Sequence, residues 1–322
     1  AGPTSKFTGA NDGKWTTDLT AVPRVNRACR DWSRSFFVAL KSLGIDASSA
    51  FSTELQHGDT SLEAAIAQRY PDQSAVELNT PAIQTNFGPE AKAYWRQVYL
   101  DMATLMAEGG LQPYLQFGEV QWWYFPKRTA EGVFVGMPFY DAYTMAQFES
   151  RFGRPMGVIL SDTVDPALFP DEAPFLASLI GQYTEHIMAF VRETHPNCRF
   201  EVLYPTDVNA GLMNQVVNYP LDAWTPAKLD NLKTESFIYT LERRFKESRE
   251  KTIGFGDELG FTPEKRSHLV GISSPPTAWV KETRVAEVVT QDSVVLFALD
   301  QFCLIGYQIP LARSARRARR AA

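Results

Sequence analysis

GPEAKAYWRQVYLDMATLMAEGGLQPYLQFGE, residues 88–119, reads as a helix followed at once by a strand. Gly88-Pro89-Glu90 opens the helix, and Tyr94, Trp95, Val98, Leu100, Met102, Leu105 and Met106 form its apolar stripe. Gly109-Gly110 then stops it. The β-rich run from Leu111 to Phe117 comes next and is broken by Gly118-Glu119. A helix and a strand with so little between them is the repeating step of an α/β fold.

Outward from there the alternation continues on both sides. Helices are expected from about Val25 to Leu43, near Leu62 to Gln68, and at 143–152, 172–193, 236–251 and 278–290. Strands are expected at 14–19, 49–55, 82–86, 111–117, 157–160, 200–204, 268–272 and 294–299. Eight near-continuous apolar strands separated by helices favour closure into a (β/α)8 TIM barrel. A doubly wound sheet is the rival, but neither GxGxxG after a strand nor GxxxxGK[ST] occurs.

Composition suits one large core. The chain has 322 residues, of which 44% are hydrophobic and 21% charged, and no Gly- or Pro-rich linker divides it. The expected layout is a single barrel domain over 1–311 and a basic disordered tail over 312–322, where Arg313, Arg316, Arg317, Arg319 and Arg320 crowd together. A formal net charge of -5 argues against an extended nucleic-acid groove. No apolar run approaches the ~20 residues that a membrane span needs. Cys29, Cys198 and Cys303 show no CxxC pairing, which disfavours a disulfide framework or zinc cluster. No cofactor and no metal is expected. The chain starts at Ala1 rather than Met, so a removed targeting peptide, and with it a secreted or extracellular location, stays open. Oligomeric state is not legible.

In a barrel, chemistry gathers at the carboxyl ends of strands. Those positions hold Glu54 and His57, then Asn86, Glu119, Asp162, Asp207, Ser273 and Ser274, and Asp300. A ring of carboxylates with one Asn and one His suits glycosidic chemistry, in which one carboxyl donates a proton and a second attacks the sugar or activates water. After Glu119 comes Val120-Gln121-Trp122-Trp123-Tyr124-Phe125, an aromatic platform of the kind sugar rings stack on, with Gln121 able to bond hydroxyls.

Here the chain resembles the (β/α)8 glycoside hydrolases whose acid/base Glu ends the fourth strand. The resemblance implies an oligo- or polysaccharide substrate, Glu119 as general acid/base, and Trp122, Trp123, Tyr124, Gln121, Asn86, His57 and Glu54 as substrate contacts. Two departures stand out: Gly118, not Asn, precedes the acid, and the seventh strand ends Gly271-Ile272-Ser273-Ser274-Pro275 with no carboxylate. The second carboxylate then falls to Asp207, Asp300 or Glu54. The aromatic 118–125 motif and the Leu299-Asp300-Gln301-Phe302 strand end also resemble the TIM-barrel domain of phage non-contractile tail sheath-like proteins. That resemblance implies a virion protein whose barrel binds glycan or protein without cleaving it.

Simpler readings compete at each position. Glu119 can pair with a base or cap a helix, and Trp122 and Trp123 can be core anchors. Asp207 suits a turn or cap as well as a base. Asp300 sits at the mouth or in a buried pair, and a surface loop accounts for Glu54 and His57. The segment with Asp162, Asp165 and Asp171 is acidic but matches no EF-hand spacing. Serine hydrolysis is disfavoured, since Ser273 and Ser274 lack a GxSxG elbow and His57, His186, His195 and His268 fall mostly on helices or strand starts.

Overall fold

The computed structural model describes residues 5–7, 15–56, 65–77, 82–271, 276–290 and 292–298. The chain forms two compact units. The first comprises 1–203 and 209–230, and the second 204–208 and 231–322.

The first unit opens with an antiparallel pair, β1 (Ser5–Phe7) and β2 (Trp15–Thr17). Helix α1 (Arg27–Ser42) follows, capped by the Asn26 side chain on the Cys29 N–H. Next come β3 (Ser49–Phe51), β4 (Glu54–Gln56), β5 (Ala82–Gln84), α2 (Pro89–Glu108) and β6 (Tyr114–Gly118). A two-stranded ribbon, β7 (Lys127–Arg128) with β8 (Phe134–Gly136), precedes α3 (Ala142–Phe152), α4 (Glu172–Thr194), β9 (Arg199–Pro205) and α5 (Leu212–Val217). β9 belongs to this unit through Leu203.

β3, β6 and β9 are parallel neighbours, with Phe51 opposite Phe117 and Phe117 opposite Val202. β6 is the middle strand, and from Leu115 to Gly118 every residue is buried, as a strand covered on both faces requires. Tyr99 of α2 lies against Phe117, and Phe117 stacks on Phe200, which ties helix, strand and neighbouring strand into one core.

The second unit contains β10 (Asn231–Glu235), α6 (Phe237–Leu241), α7 (Phe245–Glu258), β11 (Arg266–Val270), α8 (Pro276–Val289) and β12 (Ser293–Leu296). β10, β11 and β12 are again parallel. Tyr204 stacks on Phe255 of α7 with ring centroids 3.8 Å apart.

Several expectations need correction. The strand expected at 14–19 is β2, which pairs antiparallel with β1. The one expected at 49–55 splits into β3 and β4, and β4 turns back to pair antiparallel with β5. Asn86 therefore follows an antiparallel ribbon and does not end a parallel strand. Glu119, counted at the end of a fourth strand, follows the second of three parallel strands in its unit. Residues 157–160 form no strand; their backbone is held instead by the Met137 N–H on the Ile159 carbonyl and by the Tyr140 hydroxyl. The segment 65–68 makes turns and bridges, not a helix. The helix expected at 236–251 breaks into α6 and α7 at Arg243, which adopts φ +59. β10 was missed because Lys233 and Glu235 interrupt its apolar pattern, although both are buried. His57, Ser273, Ser274, Asp300, Cys303 and the 312–322 tail lie outside the described residues.

Among the described residues no helix is long and apolar enough to cross a membrane, and no three metal-ligating side chains come together.

Candidate functional site

The loop after β6 is built around an unusual backbone. Gly118 sits at a close approach, since a Cβ there would lie 3.2 Å from the Phe51 carbonyl oxygen on the neighbouring strand. Glu119 then adopts φ +44, a left-handed conformation that costs a non-glycine residue energy and that concentrates at functional sites. Its carbonyl is fixed from two sides, by the Thr53 hydroxyl at 3.2 Å and the Gln121 N–H at 3.0 Å.

The Glu119 side chain is half-buried. The Tyr124 hydroxyl donates to Gln121 Oε1 at 2.7 Å and reaches Glu119 Oε2 at 3.3 Å. Gln121 is fully buried, and its Nε2 has no partner among the described residues. An unpaired buried amide costs about 1 to 3 kcal/mol, and Gln121 Nε2 is one of several buried polar atoms without a partner among the described residues.

A set of side-chain amides from separate segments of the chain holds this turn. Gln68 donates to the Gln121 carbonyl and accepts the Trp123 N–H, while Gln84 donates to Thr53 Oγ1 and, at 3.3 Å, to the Gln121 carbonyl. Asn218 accepts the Trp122 N–H at 2.9 Å, donates to the Trp122 carbonyl at 3.2 Å and donates to Asn209 Oδ1. Asn214 donates to the Tyr124 carbonyl. Sequence reading missed these residues, since no local pattern announces amides that converge from four places in the chain. Because Asn218 alone carries three of the bonds, Asn218→Ala is expected to lower stability by about 2 kcal/mol, read as a lower urea midpoint with unchanged slope.

The sequence-derived contacts separate on burial. Trp122 is wholly buried; its indole N–H donates to the Leu176 carbonyl, and its ring meets Phe87 and Phe139 edge-on. It is a core anchor, with no face left for a sugar. Trp123 is half-buried and Phe125 is 48% exposed, with ring centroids 5.5 Å apart, so the accessible aromatic surface is theirs. Asn86 is buried and occupied structurally: it donates to the Ala65 and Ala67 carbonyls and accepts the Gly88 N–H at the start of α2. Glu54 is half-buried opposite Gln84 in the β4–β5 ribbon, and burial raises its pKa.

Asp207 belongs to the second unit. Its carboxylate accepts the Ile238 N–H at 2.6 Å and the Val208 N–H at 2.8 Å, so it secures the start of α6. Burial raises its pKa, and these backbone donors oppose that rise. A second acid of this unit escaped the sequence reading. Glu282 of α8 is 1% exposed, accepts from Thr240 Oγ1 at 2.8 Å and from the Gly271 N–H at 3.0 Å, and thus reaches the end of β11 from a helix. Burial, with a further contribution from the Asp207 charge, pushes its pKa up to about 7. The readable signal was a Glu inside the buried stripe Trp279, Thr283 and Ala286.

A family model described as non-contractile tail sheath protein TIM barrel matches residues 6–307. The chain belongs to this tail sheath family. Its fold is accordingly the α/β (β/α)8 TIM barrel. No curated protein matches the chain. Solved structures that resemble this tail sheath barrel include the catalytic domain of a β-amylase from Paenibacillus polymyxa, at 11% identity and TM-score 0.57, covering 84% of this chain and 80% of that one. The glycoside hydrolase domain of PgaB (BpsB) from Bordetella bronchiseptica gives 11% identity and TM-score 0.54 over 85% and 78% of the two chains. A β-galactosidase from the haloarchaeon Halorubrum lacusprofundi gives 13% and 0.55, covering 83% of this chain and 45% of that one. At such identities the likeness is one of fold.

Proposed function

We propose that the chain serves as a tail sheath barrel of a phage virion and that the loop after β6 binds a glycan, with Glu119 bonding its hydroxyls and Trp123 and Phe125 offering the apolar face. The observation that carries the reading is Glu119 itself, held at φ +44 by Thr53 and Gln121, with the Tyr124 hydroxyl 3.3 Å from its carboxylate. A strained residue held in this way keeps its geometry before any ligand arrives, and such preorganisation lowers the cost of binding.

Hydrolysis is the second reading, favoured by the same carboxyl, which would act as general acid/base with a second carboxylate as its partner. One set of measurements separates the two. Purified protein is titrated with a panel of oligosaccharides by isothermal calorimetry and incubated with the matching chromogenic glycosides. Under the binding reading, Glu119→Gln weakens affinity by about tenfold or less and no glycoside is turned over. Under the hydrolytic reading, the parent turns over a glycoside and Glu119→Gln lowers kcat by ~10²- to 10⁴-fold with binding largely kept. If no glycan binds and none is cleaved, the glycan site is wrong. The sheath assignment is tested separately, by locating the protein in purified virions.

A further inference from the structure

The short helix α6 follows the carboxyl end of β10 and packs against α7 and α8. Of its residues only Tyr239 and Thr240 are buried, while Ile238 and Leu241 face solvent. A segment with so little apolar burial opens at the low end of the range of local unfolding within a fold. Just beyond it Arg243 adopts φ +59, a left-handed conformation at which the chain turns sharply into α7.

What holds α6 is polar. The Ile238 N–H donates to Asp207 Oδ2 at 2.6 Å, and Thr240 Oγ1 donates to Glu282 Oε1 at 2.8 Å, so one carboxyl grips its first turn and another its inner side. Both acids are tied in turn to the surrounding chain, Asp207 by the Val208 N–H and Glu282 by the Gly271 N–H at the end of β11. The Tyr239 hydroxyl is buried here with no partner among the described residues. The seated helix therefore hides a polar group that water would satisfy, which works in favour of opening.

The titratable groups around Glu282 come from each neighbouring element. Asp207 lies after β9, Tyr239 is on α6 and His268 on β11, while Glu247 of α7 is paired with Arg244. On α8 itself Lys281 is exposed and lies over the Phe245 ring. Among the described residues no cation pairs with Glu282 or with Asp207, so nothing offsets their charges when both ionise.

We infer that α6 is a strap latched at the carboxyl ends of β10 and β11 by Asp207 and Glu282, shut while Glu282 keeps its proton and released once both carboxyls are charged. Burial, with the Asp207 charge adding to it, pushes the Glu282 carboxyl up to about 7, and burial raises Asp207 as well. In the open strap Glu282 meets water and returns to the ordinary 4.5 of a glutamate. Because the closed form has the higher pKa, the latch is at full strength below 4.5 and is lost as pH rises through about 7. His268 has the opposite sign, since burial pushes it down to about 4, but its bonds run to Thr234 and Ser236, outside α6, and opening leaves them in place. Release bares two carboxylates and the Tyr239 hydroxyl at the carboxyl end of the strands, the end at which β/α barrels present their ligand-binding groups. The strap is independent of both the glycan site and the sheath assignment.

The test is amide hydrogen exchange of the whole chain, read by mass spectrometry on peptides spanning 236–244 and corrected for the intrinsic effect of pH on exchange. The Thr240 and Glu242 N–H groups, bonded to the Ser236 and Ile238 carbonyls, report on the strap. In the parent their protection falls by about fiftyfold between pH 5 and 8 and little further above, as a single proton lost from the closed form requires. Peptides spanning 266–270 of β11 and 94–106 of α2 keep their protection over the same range. Glu282→Gln, which cannot ionise, holds the strap shut at pH 8 as firmly as at pH 5. Thr240→Val removes the latch bond from the other side, and lowers protection of 236–244 by about tenfold already at pH 5. This second variant keeps the test decisive if Glu282→Gln misfolds. Protection of 236–244 that does not change from pH 5 to 8, that falls equally in Glu282→Gln, or that falls only together with 266–270 overturns the strap. So does a Thr240→Val protein whose strap is as protected as that of the parent.

Discussion

Trp122→Ala is expected to cost the fold about 3 to 5 kcal/mol, while the same change at the adjacent Trp123 costs about 1 kcal/mol or less. The asymmetry follows from burial. Trp122 is fully buried, with Phe87 and Phe139 edge-on to its ring and the Leu176 carbonyl accepting its indole proton. Truncation there leaves a cavity large enough to forfeit many contacts at once. Trp123 is half-buried and is anchored chiefly through its main chain, where its N–H meets Gln68 Oε1. Removing its side chain leaves that bond in place. Urea unfolding of the two variants reads the stability difference, and glycan titration reads the reverse order, with Trp123→Ala the more damaging to affinity. Equal stability losses at the two positions would show that the assignment of core anchor and ligand face is wrong.

The contrast at 122–123 illustrates what was legible in the sequence. Residues 88–119 announced a helix and a strand because one face of α2 and almost all of β6 are apolar, and that periodicity is the direct imprint of burial. Where burial and apolarity part company, the reading failed. β10 is buried along its whole length yet reads Asn231-Leu232-Lys233-Thr234-Glu235, so its pattern resembles a loop. Residues 82–84 are apolar enough for a barrel strand, but pair antiparallel with β4, and pairing partners are a property of the whole chain rather than of the segment.

The site shows the same division. Glu119 stands out as a candidate because a carboxylate between a buried strand and an aromatic run is locally conspicuous. Which of two adjacent tryptophans faces inward was not legible, because the turn at Glu119 breaks the alternation that a regular strand would impose. The network from Gln68, Gln84, Asn209 and Asn218 was invisible for a different reason. Each amide is ordinary in its own segment and becomes informative only when the fold gathers them around Gln121 and Trp122.

Glu282→Gln is expected to stabilise the second unit by about 2 to 3 kcal/mol above pH 7 and to change little below pH 4.5. The carboxyl is 1% exposed, and its pKa rises from the ordinary 4.5 of a glutamate to about 7, chiefly through loss of hydration on burial. Since the folded pKa lies above the unfolded one, the contribution of this group is fully present below 4.5. It declines as the unfolded carboxyl ionises and is lost as pH rises through about 7. Each unit of separation is worth about 1.4 kcal/mol, which sets the scale. Gln removes the charge and keeps the shape. Its oxygen can still accept the Gly271 N–H, and its amide can donate to Thr240 Oγ1 in place of the bond the carboxylate accepted. His268 complicates the parent curve but not the difference. It is fully buried beside Thr234 and Ser236, with its pKa pushed down to about 4, so it contributes stability above 6.5 that fades as pH falls through about 4. That term is common to parent and variant and cancels when the two urea curves are subtracted at each pH. The subtracted curve should therefore be flat below 4.5, climb between 4.5 and 7, and level off above. A difference that is constant from pH 4 to 8.5, or a variant that is the less stable protein above pH 7, would mean that Glu282 is ionised and well paired throughout, with its bonds to Thr240 and Gly271 outweighing the cost of burying its charge.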